Sequence, residues 1–309
     1  MISRLRELVA VRATTFDLGP DELLERDLAA GLANPGCTSA NGTCRMIRAV
    51  DGWLALNLAR EEDLDVLPAL TGIDQGNWEG VAQAAATEQA RVFRDRVVEL
   101  QIPVAVVGEA AASTLTRYEN FAPPKRVVDM SALWAGPLCA ALLARMGAEV
   151  MRIDSLGRPD PTARSSPRLN ALLNCEKLHV PLDLRKQCAR AELVGLLEQA
   201  DVVVTSARPA ALARLGLELD RFPNLTWVAI TAHGFSGLGA DRVGFGDDCA
   251  AAGGLVRWHG DSPQFLGDSL ADPLTGLEAA LAVLSGRHGL IDMSMSGVAA
   301  AYAGEIDRW

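Results

Sequence analysis

The sequence predicts an α/β protein in which a parallel-sheet, Rossmann-like large domain is joined to a smaller α+β domain. From residue 126 onward, short apolar runs alternate with helical segments, which is typical of βαβ units. Before residue 120 the pattern differs, because an Asp-Gly pair separates two apolar runs and indicates a hairpin. The 309 residues also suit two domains of ~150 residues each. We therefore expect a small domain at 1–120 and a large domain at 126–309.

The first 120 residues contain both helix and strand signals. Pro20 and Asp21 are residue types that favour a helix start, and the stretch after Asn34 is rich in Gly, Ser and Asn, which indicates a loop. In chain order the patterns predict a loop at 34–43, strands at 45–50 and 53–57, helices at 61–72 and 78–100, a strand at 102–107 and a linker at 120–125.

The remaining residues predict strands that are separated by helices. Pro137 fits a first helical turn and Gly147 fits the position after a helix end, so a helix is expected between them. The full set comprises strands at 127–130, 149–154, 178–182, 201–205, 226–231 and 290–295, with helices at 137–146, 186–199, 209–215 and 272–284.

Composition and charge exclude several classes of protein. No apolar run approaches the ~20 residues of a membrane span, and the charged N-terminus does not resemble a secretory signal peptide. The net charge of −10 argues against nucleic-acid binding, which needs a basic surface. None of the six cysteines forms a C-x-x-C pair or has a histidine at metal-ligand spacing. We therefore expect reduced thiols, a cytoplasmic location and no metal.

Two turns at strand ends suit an anionic ligand. Residues 131–137, SALWAGP, lead from a strand into a helix whose N-terminus presents free N–H groups and could seat a phosphate or a carbonyl oxygen. Taken alone, the same residues are more typical of a tight structural turn. This turn has neither a G-x-G-x-x-G pattern nor a Walker lysine. In the second turn a strand at 201–205 feeds a short helix, and Arg208 and Arg214 could reach phosphates there or remain solvated.

A carboxylate at a third helix start is a candidate nucleophile. Asp272 precedes Pro273, which predicts an N-cap role and a helix dipole that keeps the carboxylate ionised. Such a carboxylate could also attack an activated acyl group. Asp268 is a second candidate cap. Among the four histidines, His233 is the one placed directly after a predicted strand.

Together these segments resemble family III CoA-transferases, the group that includes formyl-CoA:oxalate and carnitine CoA-transferases and α-methylacyl-CoA racemase. The resemblance covers nearly all of 126–300. It is carried by RVVDMSALWAGPLCAALLARMGAEVMRID (126–154), LNCEKLHVPLDL (173–184), ADVVVTSARPAALARLGL (200–217), AITAHGFSGLGADRVG (229–244) and LADPLTGLEAALAVL (270–284).

The resemblance assigns roles to particular residues. Asp272 matches the catalytic aspartate of the family, because Gly276 and the apolar helix are in register with it. Asp268 is a rival, since some transferases read Gly-Asp-Ser there. Trp134 stands where some members have an active-site glutamine, and Ser155 where some have an adenosine-contacting arginine. The implied CoA contacts are Trp134, Ala135, Leu182, Arg185, Ser206, Ala207, Arg208, Ala211 and Arg214.

The resemblance implies an acyl-CoA:carboxylate CoA-transferase that acts through an aspartyl anhydride and an aspartyl-CoA thioester. Coenzyme A would be a substrate, with an acyl-CoA and a carboxylic acid as reaction partners. A non-catalytic CoA-binding partner subunit is the alternative. A racemase or isomerase is a weaker alternative, because Phe245 follows Arg242-Val-Gly244 where the racemases have a catalytic histidine.

Residues 1–120 also resemble the family, but in a different order. The segment 45–60, RMIRAVDGWLALNLAR, and 93–107 are similar to the family's small domain, which normally follows the part matched by 126–300. The glycine loop at 36–43 stands where the family has a glycine loop near the active site. The chain therefore looks rearranged, and the family's C-terminal return segment has no match. We expect a homodimer, or a heteromer with a related subunit, to complete the cleft.

Overall fold

The computed structural model describes residues 1–26, 32–72, 77–117 and 123–308. It contains a six-stranded parallel sheet and a separate three-stranded antiparallel sheet, so the predicted α/β fold class is confirmed. Among these residues, no helix is both long enough and apolar enough to cross a membrane.

The elements before residue 117 begin with two helices and then form the three-stranded sheet. They are α1 (Ile2–Ala13), α2 (Pro20–Leu24), β1 (Cys44–Arg48), β2 (Trp53–Asn57), α3 (Glu61–Asp65), α4 (Leu67–Thr71), α5 (Trp78–Ala85), α6 (Ala90–Glu99) and β3 (Val104–Val106). The predicted hairpin is confirmed, because β1 and β2 pair antiparallel from Arg48 opposite Trp53.

Two predicted helices are each divided in the structure. The helix expected at 78–100 breaks into α5 and α6, since the carboxylate of Asp51 accepts the N–H of Ala90 at 2.7 Å and so caps α6. The helix expected at 61–72 breaks before Leu67, and Pro68 lies in the first turn of α4. The break before α6 does not show in the local periodicity, because its cap, Asp51, is distant in sequence.

The parallel sheet and its helices occupy the rest of the chain. In order they are β4 (Arg126–Met130), α7 (Ala135–Arg145), β5 (Glu149–Ser155), α8 (Thr162–Ser165), α9 (Pro167–Asn174), β6 (Leu178–Leu182), α10 (Gln187–Glu198), β7 (Val202–Thr205), α11 (Pro209–Arg214), β8 (Thr226–Thr231), α12 (Gly246–Ala252), β9 (Val256–His259), β10 (Ser262–Phe265), α13 (Ala271–Leu284), β11 (Leu290–Ser294) and α14 (Met295–Asp307).

The strands of the large sheet have the order β11-β8-β7-β4-β5-β6, and every neighbouring pair is parallel. Apolar residues fill one face of this sheet with α7, α13 and α14, and the other face with α10 and α11. The central strands β7 and β8 are buried at every residue because both faces of the sheet are covered there. The antiparallel hairpin of β9 and β10 lies outside the sheet and was not predicted.

The first two helices pack with the large sheet. Leu5, Val9 and Phe16 belong to the same buried cluster as α7 and α13. A buried ion pair adds to this packing, because Arg12 donates to the carboxylate of Glu278 on α13. The predicted division into 1–120 and 126–309 stays a prediction, but α1 and α2 contribute to the core of the large sheet.

The small sheet is covered on both faces. On one face its strands pack with α4, α5 and α6 around Phe93 and Val97. On the other face Cys44 and Ala55 contact Ala251 of α12 and the β9–β10 hairpin. Helix α12 therefore lies between the two sheets, and its residues are buried along its length.

Candidate active site

The carboxyl ends of β4 and β7 meet at the point where the order of the strands reverses. From β4 the chain continues outward through β5 and β6, whereas β7, β8 and β11 lie on the opposite side. In open α/β sheets, ligands bind outside the carboxyl ends of strands at such a reversal. The turn after β4 and Ser206 after β7 both lie at this point, since Met130 pairs with Thr205.

Two hydrogen bonds hold the turn between β4 and α7. The N–H of Ala132 donates to Oγ of Ser206 at 3.0 Å, and the N–H of Leu133 donates to the carboxylate of Asp160 at 3.1 Å. Leu133 has φ of 69°, a left-handed conformation that residues other than glycine rarely adopt. The surrounding contacts therefore keep this turn in a strained conformation beside the strand reversal.

A buried ionic cluster supports the same turn from below. Oδ2 of Asp129, on β4, accepts from Nζ of Lys177 at 2.8 Å and from Arg152 at 3.3 Å. Arg152 also donates to Asp160 at 2.7 Å. Burial alone would raise the pKa of Asp129, but Lys177 and Arg152 outweigh it and hold that pKa below its usual value. Arg152 thus ties Asp160 to Asp129 of the sheet.

Asp272 lies inside α13, at its second residue. The N-cap is Leu270 and the helix begins at Ala271, so the expectation that Asp272 is an N-cap is wrong. Its carboxylate instead lies close to the backbone N–H of Ala135, the first residue of α7, which acts to lower the pKa of Asp272. Asp272 therefore faces the N-terminus of α7, next to the turn at the strand reversal.

Two glycines let the helices approach Asp272 closely. A Cβ on Gly246, the first residue of α12, would lie 2.2 Å from Oδ2 of Asp272 and 2.5 Å from the carbonyl oxygen of Ser269. A Cβ on Gly276 of α13 would lie 2.6 Å from the carbonyl oxygen of Ala135. Any side chain at these two positions would displace the carboxylate or separate α13 from α7.

The pKa of Asp272 differs from the sequence expectation. Burial raises it to about 7, with Arg26 acting to lower it and Asp247 and Asp268 acting to raise it further. The expectation that the helix dipole keeps the group ionised is therefore wrong, because the N–H of Ala135 and Arg26 only partly offset burial and two nearby carboxylates. The side chain remains partly exposed to solvent.

Asp268 is engaged in an ion pair. Arg26, at the end of the first described segment, donates through Nε and Nη2 to the two carboxylate oxygens of Asp268, with the Nε contact at 2.8 Å. The Arg26 guanidinium also lies 5.7 Å from the ring centroid of Trp134, a cation–π distance. Asp268 is thus paired, whereas Asp272 faces the turn.

Asp247 fixes the loop that precedes α13. It accepts the N–H of Ser269 at 2.9 Å and the Oγ of the same residue at 3.3 Å. Ser269 has φ of 46°, so the loop needs this support. Burial and the Asp268 charge raise the pKa of Asp247 to about 6.

The expected CoA-contacting turn after β7 lies at the strand reversal. Ser206 and Arg208 are exposed there, with Ala207 and Ala211 partly exposed. Arg208 donates to the side chain of Gln101 at 2.5 Å and to the carbonyl of Asp241 at 2.8 Å. Arg214 is exposed at the last residue of α11.

The other expected contacts are distributed along the same edge of the sheet. Trp134 and Ala135 are buried at the start of α7. Leu182 ends β6 opposite Ser155, which places it two strands from β4. Arg185 is exposed and pairs with Asp183 at 2.7 Å. The structure brings Trp134, Ala135, Ser206 and Asp272 together, whereas Leu182 and Arg185 lie farther along the edge.

The glycine loop at 36–43 packs on the β9–β10 hairpin and on β1. The carbonyl of Gly36 accepts the N–H of Phe265 at 2.8 Å, and the carbonyl of Cys37 accepts the N–H of Met46 at 2.8 Å. Its expected position near the active site stays a prediction.

Three functional residues were not found by sequence reasoning. Arg26 was missed because it meets Asp268 across 242 positions of the sequence. Asp247 and Gly246 belong to the string GFGDD, in which a glycine stands between an aromatic and an acidic residue, and this pattern was the available signal for them.

The expectation that the protein binds no metal stays a prediction. His233 lies with Asp248 and Cys249, and their ligand atoms are within 4.8 Å of one another.

Comparisons with known proteins find CoA-transferases that are similar to this chain. The chain is 30% identical over 182 residues to an acyl-CoA transferase of Fusarium pseudograminearum, covering 52% of this chain and 40% of that protein. It is 32% identical over 193 residues to the succinyl-CoA–L-malate CoA-transferase beta subunit of Chloroflexus aurantiacus, covering 55% and 48% respectively. The chain spans less than half the length of these curated relatives.

A solved structure and a family pattern also match this chain. The protein Rv3272 of Mycobacterium tuberculosis is similar with a TM-score of 0.54 and 27% identity, over 62% of this chain and 60% of that one. Residues 125–300 match the sequence pattern of CoA-transferase family III. Since this match extends over more than half of the 309 residues, the chain belongs to CoA-transferase family III.

Proposed function

We propose that this protein is an acyl-CoA:carboxylate CoA-transferase with Asp272 as its nucleophile. The observation that carries the proposal is the position of the Asp272 carboxylate, which lies near the start of α7, beside the strand reversal where ligands of such sheets bind. The similarity to transferases of acyl-CoA and succinyl-CoA supports the same reaction class.

The reaction would proceed through two kinds of acyl intermediate on Asp272. Its carboxylate attacks the thioester carbonyl, the carbon–sulfur bond breaks, and an aspartyl anhydride forms with release of the CoA thiolate. The thiolate then attacks the aspartyl carbon and expels the donor acid, which leaves an aspartyl-CoA thioester. The acceptor carboxylate repeats these steps in reverse, so that Asp272 is regenerated and the acceptor leaves as its CoA thioester.

Each attack creates an oxyanion that needs hydrogen-bond donors. The N–H groups of Ala132 and Leu133 already donate to Ser206 and Asp160, and the N–H of Ala135 lies close to Asp272 itself. The backbone N–H groups of Trp134 and Gly136 are therefore our candidates within this turn. The glycine loop at 36–43 remains the second candidate source.

We propose that CoA lies along the carboxyl edge of the sheet. Fixed cations can hold its phosphates even on a protein of net charge −10, because only a few are needed. The proposed contacts are Trp134, Ala135, Leu182, Arg185, Ser206, Ala207, Arg208, Ala211 and Arg214.

We also propose a cytoplasmic location, in keeping with six free thiols.

Chemical trapping tests the nucleophile directly. The protein is incubated with a panel of acyl-CoA donors, the intermediate is trapped with hydroxylamine or borohydride, and the modified peptide is located by mass spectrometry. We expect modification at Asp272, none in Asp272→Asn, and retained modification in Asp268→Asn. Modification at Asp268 would show that the nucleophile lies four residues earlier.

A non-catalytic partner subunit is the second candidate. The Arg26–Asp268 ion pair and the Trp134 ring occupy the neighbourhood of Asp272, and one relative is named as a beta subunit. In that case the chain binds CoA but is never trapped with any donor. An isomerase is less well supported, since Phe245 donates its N–H to Asp248 and offers no base of its own.

We propose that the working form is a homodimer or a heteromer with a related subunit. The naming of similar proteins as alpha and beta subunits of one transferase supports a heteromer. Mixing with a related chain would then be needed for acyl transfer, and the trapping experiment should be repeated on that mixture.

A further inference from the structure

Three side chains that can ligate a metal converge where the segment after β8 meets α12. A ring nitrogen of His233, a carboxylate oxygen of Asp248 and the Sγ of Cys249 all lie within 4.8 Å of one another. Asp248 and Cys249 are fully buried in α12, and His233 follows β8 by two residues. None of the three takes part in the transferase steps proposed above.

The donors are held in place but incompletely partnered. Oδ1 of Asp248 accepts from the side chain of Asn57 at 3.1 Å and from the N–H of Phe245 at 3.0 Å, which fixes the carboxylate. Nε2 of His233 is buried, and it has no hydrogen-bond partner among the residues that the structure describes. Buried polar atoms are normally partnered, and a metal ion would supply the missing partner for the cluster.

The backbone of Gly244 packs closely against two of the ligand atoms. A Cβ on Gly244 would lie 2.8 Å from Oδ2 of Asp248 and 2.9 Å from Sγ of Cys249. Sγ of Cys249 donates to this Oδ2 at 3.9 Å and to the carbonyl of Ala232 at 3.6 Å, so a side chain at Gly244 would displace both ligand atoms.

The local charge also favours a cation. Arg242 and Arg94 lie near His233, but both donate to Glu109, Arg242 at 2.7 Å and Arg94 at 2.5 Å. On the other side, the charge of Asp272 acts on Cys249, and Asp247 acts on Asp248. Carboxylates thus outnumber the unpaired cations around the cluster.

We propose that His233, Asp248 and Cys249 bind one Zn²⁺ ion. Imidazole, carboxylate and thiolate together suit zinc, whereas Mg²⁺ and Ca²⁺ prefer oxygen ligands alone. Zinc bonds of ~2.0–2.3 Å place the ligand atoms ~3.5 Å apart. The three ligand atoms, which lie within 4.8 Å of one another, therefore move about 1 Å closer together on binding. Binding displaces the thiol proton of Cys249 to solvent. A fourth position remains open, as in zinc sites that bind water or substrate.

Metal titration of the full chain tests the site. Chelator-treated protein is titrated with Zn²⁺ and, separately, with Co²⁺, whose bond to a thiolate gives a near-ultraviolet charge-transfer absorption. We expect one ion per chain and no comparable binding of Mg²⁺. Cys249→Ser should lose the Co²⁺ absorption, and His233→Gln should weaken Zn²⁺ binding at least ~10-fold. The matched controls Cys175→Ser and His179→Gln, both at exposed residues, should bind as wild type.

Several outcomes would overturn the site. These are a folded wild-type chain that takes up no Zn²⁺ at micromolar concentration, loss of the absorption in Cys175→Ser, or wild-type binding by both cluster variants. If Cys249→Ser does not fold, as judged by circular dichroism, His233→Gln alone decides. The titrations use no acyl-CoA, so their failure leaves the proposed transferase reaction untouched.

Discussion

Asp272 is surrounded by groups with opposite effects on its ionisation, and this balance should control the reaction. Burial, Asp247 and Asp268 raise the pKa of the carboxyl to about 7, while Arg26 and the N–H of Ala135 lower it. Only the ionised carboxylate can attack a thioester. A nucleophile that ionises near neutral pH would therefore be sensitive to every neighbouring charge.

The pH dependence of transfer should show this balance. Because the protonated form is inactive, we expect the rate to rise with pH through about 7 and to level off above it. Arg26→Gln removes a charge that lowers the pKa of Asp272, so the rise should move to higher pH. Asp268→Asn removes a charge that raises this pKa, so the rise should move to lower pH. Initial rates between about pH 5.5 and 9 give the profiles. Identical profiles in all three proteins would contradict the assignment.

The arginines near β7 and α11 allow a test of CoA placement. A charge-assisted hydrogen bond contributes ~1.5–3 kcal/mol, so Arg214→Ala or Arg208→Ala should weaken CoA binding about tenfold or more, measured by calorimetry. The matched control is Arg287→Ala, because Arg287 is exposed and precedes β11, so it lies at the amino end of an edge strand rather than at the carboxyl edge of the sheet. Unchanged affinity in both test variants would rule out the turn after β7 as the phosphate site.

At the scale of elements, α12 and α13 position the nucleophile through a close backbone approach. A Cβ at Gly246 would meet the Asp272 carboxylate at 2.2 Å, so Gly246→Ala should displace that carboxylate and reduce transfer at least ~10²-fold, as a ~1 Å displacement does. CoA should still bind. The control is Gly195→Ala in α10, where nothing lies within 4 Å and the helix should gain up to ~1 kcal/mol. Normal transfer by Gly246→Ala would disprove the close approach.

The ionic cluster under the turn after β4 should be important for stability. Lys177→Met leaves the buried Asp129 carboxylate without its 2.8 Å partner, so we expect unfolding free energy to fall by ~3–5 kcal/mol. The double variant Lys177→Met with Asp129→Asn should lose less unfolding free energy than the sum of the losses in the two single variants. Lys186→Met, at an exposed lysine, should stay within ~0.5 kcal/mol of wild type in denaturant titrations. Equal effects at both lysines would refute the role of the cluster.

Sequence patterns located most strands but not the contacts between distant elements. The strand at 226–231 was predicted to its bounds, because apolar residues that are buried on both faces of a sheet form a recognisable run. The β9–β10 hairpin was missed, since Pro263 lies within a strand. Helix α14 was missed because Gly297 and Gly304 weaken its helical signal and tertiary packing decides its conformation.

The candidate site shows the same limit. Asp272 was identified because its residue frame is local, whereas its partners Arg26, Asp247 and Ala135 come from three other parts of the chain. Its position inside the helix and its raised pKa follow from this packing. No local pattern contains that information.

At the scale of the whole molecule, one surface groove exposes apolar side chains between the small sheet and the β9–β10 hairpin. Trp53, Trp258 and Val106 line it, and Trp258 is 54% exposed. Exposed aromatic groups at the rim of a groove are typical of protein interfaces. We therefore expect this surface to lie in the interface of the dimer or heteromer.

The assembly prediction can be tested by mass and by binding together. We expect light scattering to give twice the 32.8 kDa chain mass, or a larger complex only when a related subunit is added. Trp258→Ser should shift the equilibrium toward monomer, because truncating a buried interface tryptophan commonly costs ~2 kcal/mol or more. Leu238→Ser is the control, since Leu238 is fully exposed away from the groove lining. A monomer that binds CoA at full occupancy would contradict the prediction, because a cleft completed by a second chain cannot bind its ligand fully without it.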